Sequence, residues 1–163
     1  MKWDDLFMES KMITVYLDTS VYNRPFDDQT QPRICLENLA FVTIMQLTEM
    51  GQIVLATSSI LAFENNNNPF RSRQQWVNYC MNYAKLHQTA NENIKKRAKQ
   101  LEKKAIKSMD ALHIACAEEM NCDYFLSCDD RLLKRYKDHL LEVKNPVEFI
   151  FLLTGKNNES ENA

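Results

Sequence analysis

Ile13-Thr14-Val15-Tyr16-Leu17-Asp18 decides the fold: an unbroken run of β-branched, aromatic and aliphatic residues closed by a carboxylate. A short apolar run of this composition reads as a buried strand. A second such run, Tyr124-Phe125-Leu126-Ser127, is followed by Cys128 and Asp129. A carboxylate just past the C-terminal end of a parallel strand points into the crevice where open α/β sheets bind ligands. Strand ends and helix starts bring four acids to that crevice: Asp18, Glu64, Asp110 and Asp129. Converging carboxylates repel one another unless a hard cation neutralises them, and Mg²⁺ or Mn²⁺ is the usual one.

Outward from these runs, strands and helices alternate, which predicts a three-layer α/β/α sandwich around a parallel sheet of four to five strands. A polar loop over 23–32 precedes a helix over 33–50, apolar nearly all round and so expected to be buried, with Gly51 as its stop. Ile53-Val54-Leu55-Ala56 is the next strand, and a short capped helix spans 58–64. The Asn65-Asn66-Asn67-Asn68-Pro69 run is a loop. Helices follow over 71–87 and from Asn91, where Ile94, Ala98, Leu101 and Ala105 repeat at helical spacing. In that last helix Lys95, Lys96, Arg97, Lys99, Lys103 and Lys104 are expected to face outward. Ser108 is the expected cap of a helix with Asp110 in its first turn, although no Gly or Pro marks the boundary. A helix over 129–136, a strand over 141–143 and a helix opened by Pro146 complete the pattern. The expected domain spans 12–153, between an N-terminal extension (1–11) and a disordered polar tail (154–163).

At 163 residues the chain is one domain, with 45% hydrophobic and 26% charged residues, the composition of a soluble protein. Its apolar stretches are too short to span a bilayer, and the acids at Asp4 and Asp5 disfavour a secretory signal. Five cysteines, none paired at zinc-ligand spacing, read as reduced thiols in a cytoplasm. With Gly51 and Gly155 as the only glycines, neither a G-x-G-x-x-G fingerprint nor a Walker loop can be built. A net charge of −2 means that nucleic-acid binding would need a local patch, for which Lys95, Lys96, Lys99 and Lys103 are the candidates.

The motifs Tyr16-Leu17-Asp18-Thr19-Ser20, Glu64 on an early helix, Asp110-Ala111-Leu112-His113-Ile114-Ala115 and Phe125-Leu126-Ser127-Cys128-Asp129 resemble, in order and context, those of PIN domains. The similarity covers roughly 12–153. PIN domains are α/β/α sandwiches, and many are metal-dependent ribonucleases, including the toxins of bacterial VapBC-type toxin–antitoxin pairs. The resemblance implies that Asp18, Glu64, Asp110 and Asp129 form the catalytic acidic cluster, with Ser20 beside it. It also implies an RNA substrate, a cognate antitoxin and a homodimer. Related domains carry the last acid two residues after a Ser or Thr, which selects Asp129 over Asp130.

The chemistry points the same way. Phosphodiester hydrolysis needs an activated water, charge stabilisation on the phosphate and a stabilised leaving oxygen, and one or two carboxylate-held Mg²⁺ ions supply all three. Asp18 and Asp110, on rigid positions, are the expected direct ligands; Glu64 and Asp129 either ligate through water or orient the nucleophile. Ser20 hydrogen-bonds a carboxylate or water, or caps the following turn. His113, one turn beyond Asp110, is expected as a packed core histidine, since an oxygen-rich site does not favour imidazole. A haloacid-dehalogenase-type phosphatase needs a second Asp where Ser20 stands, and a serine hydrolase needs a G-x-S-x-G elbow that is missing. The remaining rival is a catalytically inactive PIN-like module that binds RNA or protein.

Overall fold

In the computed structural model residues 12–161 are described, with side chains through residue 155; the expected extension 1–11 lies outside the described residues. Five strands, β1 (Ile13–Leu17), β2 (Ile53–Ser58), β3 (Leu86–Gln88), β4 (Tyr124–Leu126) and β5 (Glu142–Lys144), form one sheet in the order β3-β2-β1-β4-β5. Every pairing is parallel, with Val15 opposite both Leu55 and Tyr124. The helices are α1 (Thr19–Asn23), α2 (Pro32–Glu49), α3 (Ser59–Asn66), α4 (Arg71–Met81), α5 (Glu92–Glu102), α6 (Ser108–Glu119), α7 (Asp130–Arg135) and α8 (Pro146–Glu161). This is the α/β/α architecture expected from the alternating pattern.

Strand alternation sorts the apolar residues into two cores, one on each face of the sheet. Tyr16, Ala56 and Phe125 point to the side of α5 and α6, packing with Ile94, Ala98 and Ile114. Val15, Leu17, Leu55 and Leu126 point to the other side, against Phe41 and Ile44 of α2 and Phe149 of α8. Each such fully buried large side chain contributes roughly 1.5–3 kcal/mol relative to exposure.

Several local expectations need correction. The helix expected over 71–87 ends at Met81, and residues 86–88 are the edge strand β3. Three half-polar residues are too few for an alternation signal, and Lys85 N–H on the Leu55 carbonyl (3.0 Å) starts the pairing. The loop expected over 23–32 is preceded by α1 and opens with a 3₁₀ turn, Arg24–Phe26. Helix α2 is not buried all round: Leu36, Leu39 and Val42 are 54%, 57% and 43% exposed, because one stripe alone (Ala40, Phe41, Ile44) meets the sheet. The backbone of α8 is helical over Pro146–Glu161.

Three helix boundaries depend on left-handed backbone: Gly51 after α2, Ala105 between α5 and α6, and Asn121 (φ 53°) after α6. Gly51 (φ 74°) ends α2, with Gln52 N–H on the Leu47 carbonyl (2.8 Å) and its own N–H on that of Thr48 (3.0 Å). Between α5 and α6 the turn is made by Ala105 at φ 63°, a conformation that costs a non-glycine residue about 1–2 kcal/mol. Arg135 Nη1 donates to the Ala105 carbonyl (2.8 Å) and offsets part of that cost. Ser108 is the first residue of α6 rather than its cap; Lys107 occupies the cap position without a side-chain bond.

Candidate active site

The strand order reverses direction at β1, whose neighbours are β2 and β4. Loops leaving the C-terminal ends of β1 and β4 go to opposite sides and open a crevice there. Asp18 leaves β1 into it, 5% exposed, as the cap residue of α1. Its N–H extends the ladder to the Leu126 carbonyl (3.1 Å), and its carboxylate accepts from the Ser20 hydroxyl. Ser20 Oγ in turn accepts from Cys128 N–H (3.0 Å), so the serine ties the end of β1 to the end of β4. Burial pushes the Asp18 carboxyl above its ordinary range, and the Ser127 and Ser20 hydroxyls partly pull it back.

Glu64 arrives from β2 through α3, a helix started by Ser58 Oγ accepting from Leu61 N–H (3.1 Å). Its carboxylate accepts from the Thr19 hydroxyl and lies 3.4 Å from His113 Nε2. Asp110 stands half-buried in the first turn of α6, with its carboxyl pushed up to about 6. Burial is the main cause and the charge of Asp18 the next; His113 opposes them, while Asp129 and Glu64 add to the repulsion. One group thus feels all the other three acids.

Asp129 caps α7, its Oδ1 accepting from Arg131 N–H (2.9 Å), and its own N–H donates to Ser127 Oγ (3.0 Å). Asp130 turns away: Arg33 Nη1 and Nη2 each reach it at 2.7 Å, which lowers its pKa. Adjacent residues therefore face different surroundings. Asp27, just after the 3₁₀ turn, pairs with Arg24 (2.9 Å) instead.

Among the described residues no three His, Cys, Asp or Glu side chains stand close enough to hold an ion as placed. The cluster is occupied by its own chain: Ser20 on Asp18, Thr19 on Glu64, Arg131 N–H on Asp129. Its donor set nonetheless fits a hard divalent cation, being all oxygen and crowded enough that Asp18, Asp129 and Glu64 each add to the burial that raises Asp110.

Lys95, Lys96, Lys99 and Lys103 are exposed on or just after α5. Arg97 does not join them; it reaches inward to Glu118 (2.6 Å) and also pairs with Asp138, as does Lys104. Other cations share a cleft with two of the acids. Lys107, Arg131 and Arg135 line a small cleft together with Asp110 and Asp129. Sequence reasoning missed them, although Lys107 precedes Asp110 by three residues and Arg131 follows Asp129 by two. It also missed Thr19, whose one signal is its place beside Asp18, and it left His113 as a core residue. His113 is indeed buried, but its second nitrogen faces Glu64.

No helix among the described residues is long and apolar enough to cross a membrane. No curated protein matches the chain. Three solved structures resemble it at low identity. FitAcB from Neisseria gonorrhoeae has a TM-score of 0.51 and 15% identity, over 81% of this chain and 97% of that one. VapBC2 from Rickettsia felis, bound to a DNA fragment from their promoter, has 0.53 and 14%, over 82% and 98%. PAE2754 from Pyrobaculum aerophilum has 0.53 and 12%, over 92% and 94%. Such identities speak for the fold alone. The PIN domain model matches residues 15–138, which runs from β1 through the acids of α3, α6 and the β4–α7 loop; on that match, the chain belongs to the PIN domain family.

Proposed function

We propose that this protein is a metal-dependent ribonuclease that hydrolyses phosphodiester bonds at the crevice holding Asp18, Glu64, Asp110 and Asp129. The observation that carries the reading is the Asp110 carboxyl, pushed up to about 6 by burial and by all three of the other acids. Carboxylates crowded this way are costly in a protein with no cation to bind.

Asp18 and Asp110 would hold a divalent cation, Mg²⁺ or Mn²⁺, with Glu64 and Asp129 ligating through water or orienting the attacking water. When bound, the cation supplies Lewis acidity at the phosphate and lowers the pKa of a coordinated water. The chain's own residues do the positioning. Ser20 fixes the Asp18 carboxylate and joins it to the β4 end. Thr19 holds Glu64. Lys107, Arg131 and Arg135 place positive charge beside Asp110 and Asp129, where a phosphate oxygen would approach. The lysines of α5 steer the RNA backbone from further away.

The free cysteines suit a reducing cytoplasm. A cognate antitoxin is supported by the PIN domain membership and by VapBC2 among the similar structures, and a homodimer is proposed on the family resemblance. Copurification with the product of an adjacent gene is the check on the partner. For the activity, purified full-length protein is incubated with single-stranded RNA in Mg²⁺ or Mn²⁺, with and without EDTA. Cleavage that EDTA removes is the expected result. No cleavage with either metal would overturn the reading in favour of a binding module.

A further inference from the structure

A chain of buried polar groups runs from the core of the sheet to the acidic crevice. Tyr16, fully buried in β1, stacks on Phe125 (5.4 Å between ring centroids) and meets His113 edge-on (5.8 Å). Its hydroxyl lies 2.6 Å from Ser58 Oγ and 2.6 Å from His113 Nδ1. His113 is 1% exposed, and its Nε2 is 3.4 Å from Glu64 Oε1. Ser58 caps α3, and Glu64 lies further along the same helix. The circuit therefore leaves α3 at its cap, crosses β1 and α6, and returns to α3 at Glu64.

Donor and acceptor counting gives the circuit a direction. A neutral imidazole has one N–H and one lone pair. With the proton on Nδ1, the Nε2 lone pair would face a carboxylate oxygen, which is repulsive in a buried setting. With Tyr16 donating to Nδ1, the proton sits on Nε2 and points at Glu64. Ser58, already accepting from Leu61 N–H, then donates to Tyr16. Histidines that orient other groups are set in this way, by the bond the far nitrogen makes.

We propose that His113 is a positioning residue for Glu64, held as the Nε2–H tautomer by the Ser58–Tyr16 hydrogen bonds. The tautomer stands without any assumption about activity; its effect on catalysis rests on the nuclease reading. The 3.4 Å separation is long, as hydrogen bonds in unliganded sites commonly are before they tighten.

The first measurement is the ¹⁵N spectrum of the histidines in the metal-free full chain. His113 is expected with a protonated Nε2 and an unprotonated Nδ1. Tyr16→Phe keeps the ring on Phe125 but removes the hydroxyl, and is expected to give a mixture of tautomers. A wild-type Nδ1–H tautomer, or a ring protonated on both nitrogens, overturns the proposal whether or not the protein cleaves RNA. The second measurement is Mn²⁺ affinity and the kcat/KM split for His113→Leu and His113→Gln. Leu is expected to lower kcat and Mn²⁺ affinity by about 10–100-fold with KM little changed. Gln, which retains an N–H donor, is expected to recover a large part of both. Wild-type kcat in His113→Leu, or Gln behaving like Leu, overturns the positioning role. Failure of the nuclease reading would look different: Asp18→Asn would retain wild-type cleavage while the tautomer stayed as assigned.

Discussion

The acidic crevice and the outer face of α5 each carry four like charges, and the fold treats them in opposite ways. Lys95, Lys96, Lys99 and Lys103 are exposed, where water and salt screen their repulsion. Asp18, Glu64, Asp110 and Asp129 come from separate stretches of chain into a partly buried crevice, where repulsion is felt and the Asp110 carboxyl rises to about 6. A surface can carry like charges at little cost in stability; a buried cluster persists at a cost. That difference makes the crevice the better candidate for chemistry and leaves the α5 face a steering surface at most.

The comparison breaks first at the direct ligands. Asp18→Asn and Asp110→Asn keep the shape and remove the charge. Each is expected to reduce metal-dependent RNA cleavage by more than the 10–100-fold typical of outer-shell changes. Full activity in either, measured on folded protein, would take the reaction away from this crevice.

Next, Asp129 and Asp130 provide the same contrast within two residues. Asp129→Asn is expected to lower kcat about 10–100-fold. Asp130→Asn, which loses an exposed pair with Arg33, is expected to lower the melting temperature slightly and leave kcat unchanged. The reverse pattern would move the site to Asp130.

Stability reports the cost of burying the Asp110 charge, to which the repulsion adds. Because the folded Asp110 pKa is raised, its contribution favours folding at low pH and is lost as pH rises from about 4 through about 6. Metal-free Asp110→Asn is therefore expected to be more stable than wild type at pH 7, by about 1 kcal/mol once screening of a half-exposed group is allowed for. The gap should shrink at pH 5. Adding Mg²⁺ should stabilise wild type more than the variant. Melting curves at the two pH values decide it; a gap that widens on acidification would mean that a raised Asp110 carboxyl is not the cause.

The smallest effect is expected on α5. Changing all four lysines to Gln should flatten the dependence of RNA affinity on log salt by up to about 3, from a slope of about 0.7 per phosphate contact on single strands. An unchanged slope would leave Lys107, Arg131 and Arg135 as the RNA-facing cations.

How much was legible in the sequence differs by region for a physical reason. Strands β1, β2 and β4 announce themselves because both faces are buried, so each is a continuous apolar run. Edge strand β3, with Leu86 and His87 exposed, carries no such run and reads as the tail of α4. The apolar content of α2 was visible, but which stripe faces the sheet was not, since apolar residues occur on every side of the helix and the polar Glu37 and Thr48 are among its buried residues.

The amino-acid sequence by itself determined the α/β alternation, the strand ends at Asp18 and beside Asp129, the Gly51 stop and the exclusion of glycine-rich nucleotide loops. These are local matters of residue type, periodicity and backbone freedom. Tertiary structure alone decided which partners the acids meet: Thr19 with Glu64, Arg33 with Asp130, and Lys107 and Arg131 beside Asp110 and Asp129. It also decided that His113 reaches from α6 past Tyr16 to a carboxylate on α3. Thr19 and Glu64, Arg33 and Asp130, and His113 and Glu64 lie tens of residues apart along the chain, as the Lys107–Asp110 segment does from Asp129–Arg131, and only the β3-β2-β1-β4-β5 order, which sets β1 between β2 and β4, brings them to one end of the sheet.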